Sequence, residues 1–389
     1  MRILIVNYEY PPIGGGGGVV ARDFSEAWAT SGHKVTVVTS RYQGLSASEQ
    51  INGVSIVRVP VLMRGKIQTA SHASMVSYVP SCIFKCLRSA EFRDFDIVNT
   101  HFAVPSGPAG QAIANCLKIP NILSIHGGDI FDPSKSLSPH KTPILSHIVT
   151  AMLNRADCVV AQSSDTRSNA LQYYNVKRDI DIIPLGIKKP VIQGVLRISP
   201  AIGKEDFVLC TIGRLVKRKN LVDLFEIIAT LKDRISLKLV VIGDGLERIS
   251  LMKAAEGLGL QDQVIFTGAV DDATKFQYLK SADLYVSTAL HEGFGLVFLE
   301  AMECGLPIIC YNRGGQNDFL INEKTGYLVE LRDKQAFAEK IERLFSNPKL
   351  RNTIGNFCSS HIRNYYIENC ANRYIALFDE AIEAKKSRI

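Results

Sequence analysis

The chain has 389 residues, 46% of them hydrophobic and 21% charged, and a formal net charge of +7. That length supports two or three domains with ample core, while no apolar run approaches the roughly 20 residues of a membrane-spanning helix. Nine cysteines, without a Cys-x-x-Cys pair, fit neither a disulfide framework nor a zinc site.

Met1-Arg2-Ile3-Leu4-Ile5-Val6 opens the chain as a buried strand. Its apolar stretch is too brief for a signal peptide, and no small-residue cleavage site follows, so a reduced, cytoplasmic setting is expected. Strands are predicted at 2–7, 34–39, 54–59, 97–100, 122–125, 158–161 and 180–183. Their β-branched content and unbroken hydrophobicity suit parallel strands covered on both faces. Helical apolar spacing fills 20–31 and 107–117. This is the signature of a doubly wound sheet.

Between the first strand and helix runs Gly14-Gly15-Gly16-Gly17-Gly18. Five glycines cost much backbone entropy, and they let backbone amides approach an anion closely. The run starts seven residues after Asn7 with Pro11-Pro12 intervening, and the second strand ends Thr39-Ser40-Arg41 without a ribose-binding acid. A dinucleotide site is therefore disfavoured.

From Gln50 to Ala90 there is no acidic residue, yet Arg58, Arg64, Lys66, Lys85 and Arg88 fall there among Met63, Ile67, Met75, Val76, Tyr78, Val79, Ile83, Phe84 and Leu87. Two readings stay open: a basic, apolar surface for an anionic membrane or a lipid-linked acceptor, or a helix with a core side and a solvated basic side. His101 and His126 each end a predicted strand, where a polar residue in an open α/β sheet faces the ligand crevice; His126 has the added context of Gly127-Gly128-Asp129. Asp94-Phe95-Asp96 and Asp179-Ile180-Asp181 spell a metal-binding Asp-x-Asp, but both precede buried strands and read as structural.

After Pro184-Leu185-Gly186 the period is lost, with Pro190, Gly194, Pro200 and Gly203 marking a linker over 188–205. Strands then resume at 207–212, 237–242, 264–267, 284–287, 307–310 and 326–329, joined by helices at 221–232, 246–258, 272–281, 297–304 and 335–346. The domains are accordingly 1–187 and 206–366, with a last helix at about 369–385.

Beyond the strand at 207–212 stand Gly213-Arg214-Leu215 and Lys219. An Arg and a Lys five residues apart can converge on one diphosphate, each charge-assisted contact being worth roughly 1.5–3 kcal/mol. Later comes His291-Glu292-Gly293-Phe294-Gly295-Leu296-Val297-Phe298-Leu299-Glu300-Ala301-Met302, two carboxylates eight residues apart around a glycine turn that enters a helix. The helix start attracts a phosphate, Glu300 suits the paired hydroxyls of a ribose, and Glu292 lies where a sugar on the distal phosphate would sit.

Glu292-Gly293-Phe294-Gly295-Leu296 with Glu300-Ala301-Met302, together with Gly213-Arg214-Leu215 and Lys219, resembles the retaining GT-B glycosyltransferases of family 4. The resemblance spans essentially the whole chain. It implies two Rossmann-like α/β domains facing a cleft, with residues 367–389 returning to the first. It implies a nucleotide-diphosphate sugar (UDP- or GDP-) as donor and a glycan or glycolipid as acceptor, transferred with retention and without a metal. By that resemblance Gly15, Gly16 and Gly17 correspond to the family's first glycine pair, with Gly15 and Gly16 in best register. His126 contacts the donor sugar, Val270 lies near the nucleobase, and Gly213, Gly293, Phe294, Gly295 and Leu296 line the donor site. His101 lies on the acceptor side. Asn220, Leu185, Lys188 and Asp318 depart from the family pattern, and Lys217 and Arg218 read as exposed neighbours of Lys219. No nucleic acid, metal or organic cofactor is expected. A nucleotide-sugar epimerase on the same fold and a catalytically silent nucleotide-sugar-binding subunit remain as alternatives.

Overall fold

The computed structural model of the chain describes residues 1–65, 67, 70–132, 138–191, 202–203 and 205–387. Lys66 and most of the predicted linker, including Gly194 and Pro200, lie outside the described residues. In chain order the first elements are β1 Arg2–Val6, α1 Gly16–Thr30, β2 Lys34–Ser40, β3 Ser48–Ile51, β4 Val54–Val59, α2 His72–Arg88 and β5 Ile97–His101. There follow α3 Ser106–Leu117, β6 Asn121–Ile125, α4 Pro143–Arg155, β7 Cys158–Ala161, α5 Ser164–Tyr173 and β8 Asp181–Ile182. The second series is β9 Phe207–Ile212, α6 Leu221–Leu231, β10 Leu237–Ile242, α7 Arg248–Gly257, β11 Val264–Gly268, α8 Asp272–Lys280 and β12 Leu284–Ser287. It closes with α9 Leu296–Glu303, β13 Ile308–Tyr311, β14 Gly326–Val329, α10 Lys334–Phe345, α11 Pro348–His361 and α12 Ile367–Lys386. The chain divides into two compact units, Met1–Lys188 with Ile367–Ile389, and Lys189–Tyr366. Each is a doubly wound α/β unit, the fold class that the sequence predicts.

In the first unit the strand order is β3-β4-β2-β1-β5-β6-β7-β8. All neighbours pair in parallel except β3, which runs antiparallel to β4 at the edge. β3 is absent from the predicted strands because Ser-Glu-Gln-Ile is polar and mostly exposed, leaving no period to read. β1 sits centrally, with Ile3, Leu4, Ile5 and Val6 fully buried. The order reverses between β1 and β5, so the crevice for a ligand lies beyond their carboxyl ends.

α12 joins this unit because its buried stripe of Cys370, Ala371, Tyr374, Phe378 and Ala381 matches the aromatic side of α1. The Phe24 and Tyr374 rings lie 5.0 Å apart and the Trp28 and Phe378 rings 5.2 Å. Trp28 Nε1 donates to the Ala371 carbonyl at 3.1 Å. Lys188, a departure from the family pattern, pairs with Glu26 and Asp23 on α1.

The second unit has six parallel strands in the order β11-β10-β9-β12-β13-β14. Here the order reverses between β9 and β12, and both the Gly213–Lys219 segment and the His291–Gly295 loop leave from the carboxyl ends of those two strands. Among the described residues, no helix is long and apolar enough to cross a membrane. Cys210 and Cys310 are buried in β9 and β13, and all nine cysteines are free thiols.

Candidate functional site

The residues of the second unit converge around Glu292. β9 ends at Ile212, and Gly213 carries the chain out of the sheet. A Cβ on Gly213 would sit 2.8 Å from Lys219 Cε and 3.0 Å from its Nζ, so glycine here lets the lysine lie back over the strand end. Lys217–Lys219 form one short 3-10 turn, closed by Asn220 in the left-handed region at φ 50°. Glycine and asparagine are the residues that take this conformation most readily, which accounts for Asn220 where the family has glycine.

Two bonds lace this turn to the β12–α9 loop: Leu290 N donates to the Arg218 carbonyl at 2.9 Å, and Thr288 Oγ1 donates to the Asn220 carbonyl at 2.9 Å.

Glu292 is buried with both carboxylate oxygens engaged. Lys219 Nζ donates to Oε1, and Arg218 Nη1 donates to Oε2 at 3.0 Å and also to the His291 carbonyl. Burial alone would raise the Glu292 pKa; the charges of Lys219 and then Arg218 outweigh it and hold the carboxyl at about 2. Arg218 is thus not the exposed neighbour expected from sequence: the 3-10 turn aims it at the loop that Glu292 occupies. Arg214 is exposed and, with Gly213, Lys219 and Ser287, lines a small cavity at the carboxyl end of β9.

The loop is braced from below. Gly315 N donates to the Glu292 carbonyl at 2.8 Å, and a Cβ on Gly314 would lie 2.3 Å from that carbonyl oxygen. Gly295, at φ 90°, caps α9, and a Cβ there would strike the Phe298 ring. Phe294 is 2% exposed and its ring packs on Phe319, centres 4.9 Å apart, so only its backbone can face a ligand. Gly293 and Leu296 are half-buried at the helix entrance, where the first amides of a helix have no intrahelical acceptor.

Glu300 is half-buried on α9, with Lys275 Nζ 2.6 Å from its Oε1 and 2.8 Å from Asp272 Oδ1. Burial would lower the Lys275 pKa, but Glu300 and Asp272 raise it on balance. Val270 is half-buried in the turn after β11, beside Asp271, which caps α8 by accepting from Thr274 N at 2.7 Å.

The predicted residues of the first unit gather at the carboxyl ends of β1, β5 and β6. His101 Nδ1 lies 2.9 Å from His126 Nε2, the ring planes within 14° of parallel and the centres 5.0 Å apart. Phe102 packs on His126 at 4.7 Å, and a Cβ on Gly17 would strike Phe102. Burial drives the pKa of His126 down to about 4 and that of His101 well below the ordinary value. Asp129 fixes the turn, Oδ1 accepting from His126 N at 2.9 Å and Oδ2 from Ala103 N at 2.7 Å.

The glycine run is partly inside α1, which starts at Gly16 with Gly15 as its cap. Its amides are not all open to a ligand: Gly15 N donates to Glu9 Oε2 at 3.1 Å and Gly14 N to the Ile67 carbonyl at 3.1 Å. A Cβ on Gly16 would meet open space.

Three neighbours of the site were not foreseen. Arg218 and Lys275 hold the two glutamates, and Gln162 Nε2 donates to the His126 carbonyl at 2.8 Å. Gln162 follows β7, so the strand-end rule that singled out His101 and His126 could have found it. Both Asp-x-Asp pairs sit at the opposite, amino ends of β5 and β8. Arg2 forms an ion pair with Asp94 at 3.0 Å and donates its backbone N–H to Asp96 Oδ2 at 2.6 Å, and Asp179 and Asp181 are exposed.

Two family descriptions match the chain, Glycosyltransferase Family 4 over residues 14–189 and Glycosyl transferases group 1 over residues 194–358. The N-acetyl-alpha-D-glucosaminyl L-malate synthase of Bacillus anthracis is 25% identical, over 100% of this chain and 99% of its own. Among solved structures, the sucrose-phosphate synthase of Thermosynechococcus elongatus superposes with a TM-score of 0.82 at 21% identity, over 99% of this chain and 100% of that one. Anabaena Alr3699/HepE, in complex with UDP and glucose, gives a TM-score of 0.77 at 19% identity, over 98% and 100%. These structures share the two-domain GT-B fold.

Proposed function

The chain belongs to the GT-B glycosyltransferases, and from that premise we propose that it moves a hexose-type sugar, with retention and without a metal, from a nucleotide-diphosphate sugar to a glycan or glycolipid acceptor. The observation that carries the proposal is the buried Glu292 held by Lys219 and Arg218 at the strand-order reversal of the second unit, with Arg214 and Lys219 lining one cavity. That place in an α/β sheet is where ligands bind. The solved relative Alr3699/HepE holds UDP and glucose, which favours a nucleotide-sugar donor here.

In this reading Arg214, Lys219 and the entrance amides of α9 bind the diphosphate. Negative charge grows on the leaving nucleoside diphosphate as the glycosidic bond breaks, so fixed cations favour the transition state over the ground state. Glu300 takes the ribose hydroxyls, Glu292 and His126 position the transferring sugar, and the Val270 turn meets the nucleobase. The cations neutralise the diphosphate, so no divalent ion is called for. With the carboxylate of Glu292 occupied by two cations, attack on the face that the leaving group vacates fits better than a covalent glycosyl-enzyme.

The acceptor side includes a lipid surface. One face of α2 is core, with Ser74, Tyr78, Cys82 and Cys86 buried. Its other face leaves Val76 72% and Phe84 60% exposed, and Met63, whose carbonyl accepts from Ser71 at the start of α2, is 80% exposed. The Arg88 guanidinium lies over the Phe84 ring at 4.8 Å. Apolar side chains with a cation and no acidic residue from Gln50 to Ala90 suit an anionic membrane surface.

The test is a thermal-shift screen of nucleotide sugars, followed by transfer assays in EDTA with the donor that stabilises the protein. A Lys219→Ala variant that turns over like the wild type would remove the assigned phosphate role. Conversion of the donor with no acceptor present would favour the epimerase.

A further inference from the structure

We propose that Asn99 and His101 are positioning residues that fix His126 in one tautomer, so that it offers a bare lone pair to a substrate hydroxyl and not a proton to a phosphate oxygen. The proposal deepens the reading of His126 as a donor-sugar contact and rests on it.

The chain of bonds starts at Asn99, wholly buried in β5. Its Nδ2 lies 3.1 Å from the Ile122 carbonyl and 2.9 Å from Ser124 Oγ. A carbonyl only accepts, so the amide nitrogen must face it and Oδ1 must face the other way. Oδ1 lies 2.8 Å from His101 Nε2, and an amide oxygen also only accepts, so Nε2 of His101 carries hydrogen. His101 is 1% exposed, and burial, then the neighbouring His126, hold its pKa far down. It is therefore neutral, and its Nδ1 is an acceptor.

The partner of that Nδ1 is His126 Nε2 at 2.9 Å, which must then donate. A neutral imidazole has one N–H, so hydrogen on Nε2 leaves Nδ1 of His126 as a lone pair. Among the described residues that Nδ1 has no hydrogen-bond partner, although the atom is buried.

A buried acceptor without a donor costs free energy unless a ligand supplies one. The group that satisfies it is an O–H, since phosphate oxygens at neutral pH would meet the lone pair with repulsion. His126 thus presents a neutral acceptor, whose chemistry suits a hydroxyl and not a diphosphate. The far end of the chain of bonds is anchored by α12, since Ser124 Oγ lies 3.0 Å from Tyr374 Oη.

The test uses the full chain with 15N-labelled histidine and long-range proton–nitrogen spectra at neutral pH, with His126 and His101 assigned by His126→Gln and His101→Gln. In the wild type both rings should show protonated Nε2 and unprotonated Nδ1. In Asn99→Asp the added carboxylate should charge His101, whose Nδ1 then donates to His126 Nε2 and moves the His126 hydrogen to Nδ1. The same variant should lose at least tenfold in kcat/KM while keeping its affinity for UDP. A protonated His126 Nδ1 in the wild type, or an unchanged His126 pattern in Asn99→Asp, would overturn the tautomer assignment. Saturating UDP should leave the His126 Nδ1 resonance in place, and a sugar nucleotide that supports transfer should move it. A shift with UDP alone would overturn the hydroxyl assignment. A sample that transfers no sugar from any donor would instead count against the functional reading beneath it.

Discussion

Lys219 reaches Glu292 because Gly213 has no side chain. The lysine stem lies over the end of β9 and its Nζ donates to Glu292 Oε1 beyond the end of β12, so a glycine, a lysine and a glutamate from two stretches of sequence make one device.

Gly213→Ala should therefore impair turnover without unfolding the protein. The new Cβ would stand 2.8 Å from Lys219 Cε, and the flexible lysine can swing aside. Misplacement of a charge by about 1 Å can cost on the order of a hundredfold in rate. Steady-state kinetics with parallel thermal melts should show kcat/KM falling by about that factor and Tm lowered as well, because Gly213 stands at φ 156°, a conformation that residues with a Cβ rarely adopt. An unaltered kcat/KM would detach Gly213 from the chemistry.

Glu300 and Lys275 make a second test. If Glu300 binds ribose, Glu300→Ala should raise the donor KM roughly tenfold to a hundredfold, the range expected for losing a charged hydrogen bond of about 1.5–3 kcal/mol. Lys275→Met should raise it less, since the carboxylate remains but loses the cation that orients it at 2.6 Å. Calorimetric titration of donor into each variant checks the order. Equal affinity in Glu300→Ala and wild type would return Glu300 to a structural ion pair with Lys275.

The uneven legibility of these residues has a physical cause. Parallel strands buried on both faces announce themselves by unbroken β-branched runs, so β1, β9 and β10 could be read directly. β3 could not, because an exposed polar edge strand has no such run. His101, His126 and Glu292 are polar residues at strand ends or glycine turns, where residue type and place coincide. Arg218 and Lys275 carry no such mark. One is aimed by a 3-10 turn and the other reaches from α8 to a carboxylate on α9, so only the packing of distant segments reveals them.

The paired histidines predict a pH dependence. His126 has its pKa depressed to about 4 in the folded chain, and His101 is depressed as well. The unfolded chain binds more protons between the ordinary histidine value, near 6.5, and the folded one. Stability is thus fully present above that value and is lost as pH falls towards 4, by about 3 kcal/mol for His126 alone. Melts from pH 7 to 4 should show Tm falling through this window, and His126→Gln should flatten the fall. Glu292, held at about 2, acts in a separate window: its contribution is present above about 4.5 and is lost as pH falls towards 2.

The exposed face of α2 predicts salt-sensitive adhesion. Wild-type protein should co-sediment with vesicles containing anionic lipid at low salt and less so at high salt, because surface charge attraction is screened. Val76→Glu with Phe84→Glu should abolish sedimentation while leaving transfer to a soluble acceptor intact. Binding that ignores both lipid charge and these substitutions would remove the surface from the account.

The most direct test of the central claim is calorimetric titration of UDP and GDP, in EDTA, into wild-type protein and the double variant Arg214→Ala/Lys219→Met. Binding of one nucleotide by the wild type without a divalent ion, weakened at least tenfold in the variant, is the result expected if these cations hold the diphosphate. Equal affinity in the two proteins, or binding that appears only with a metal present, would contradict it.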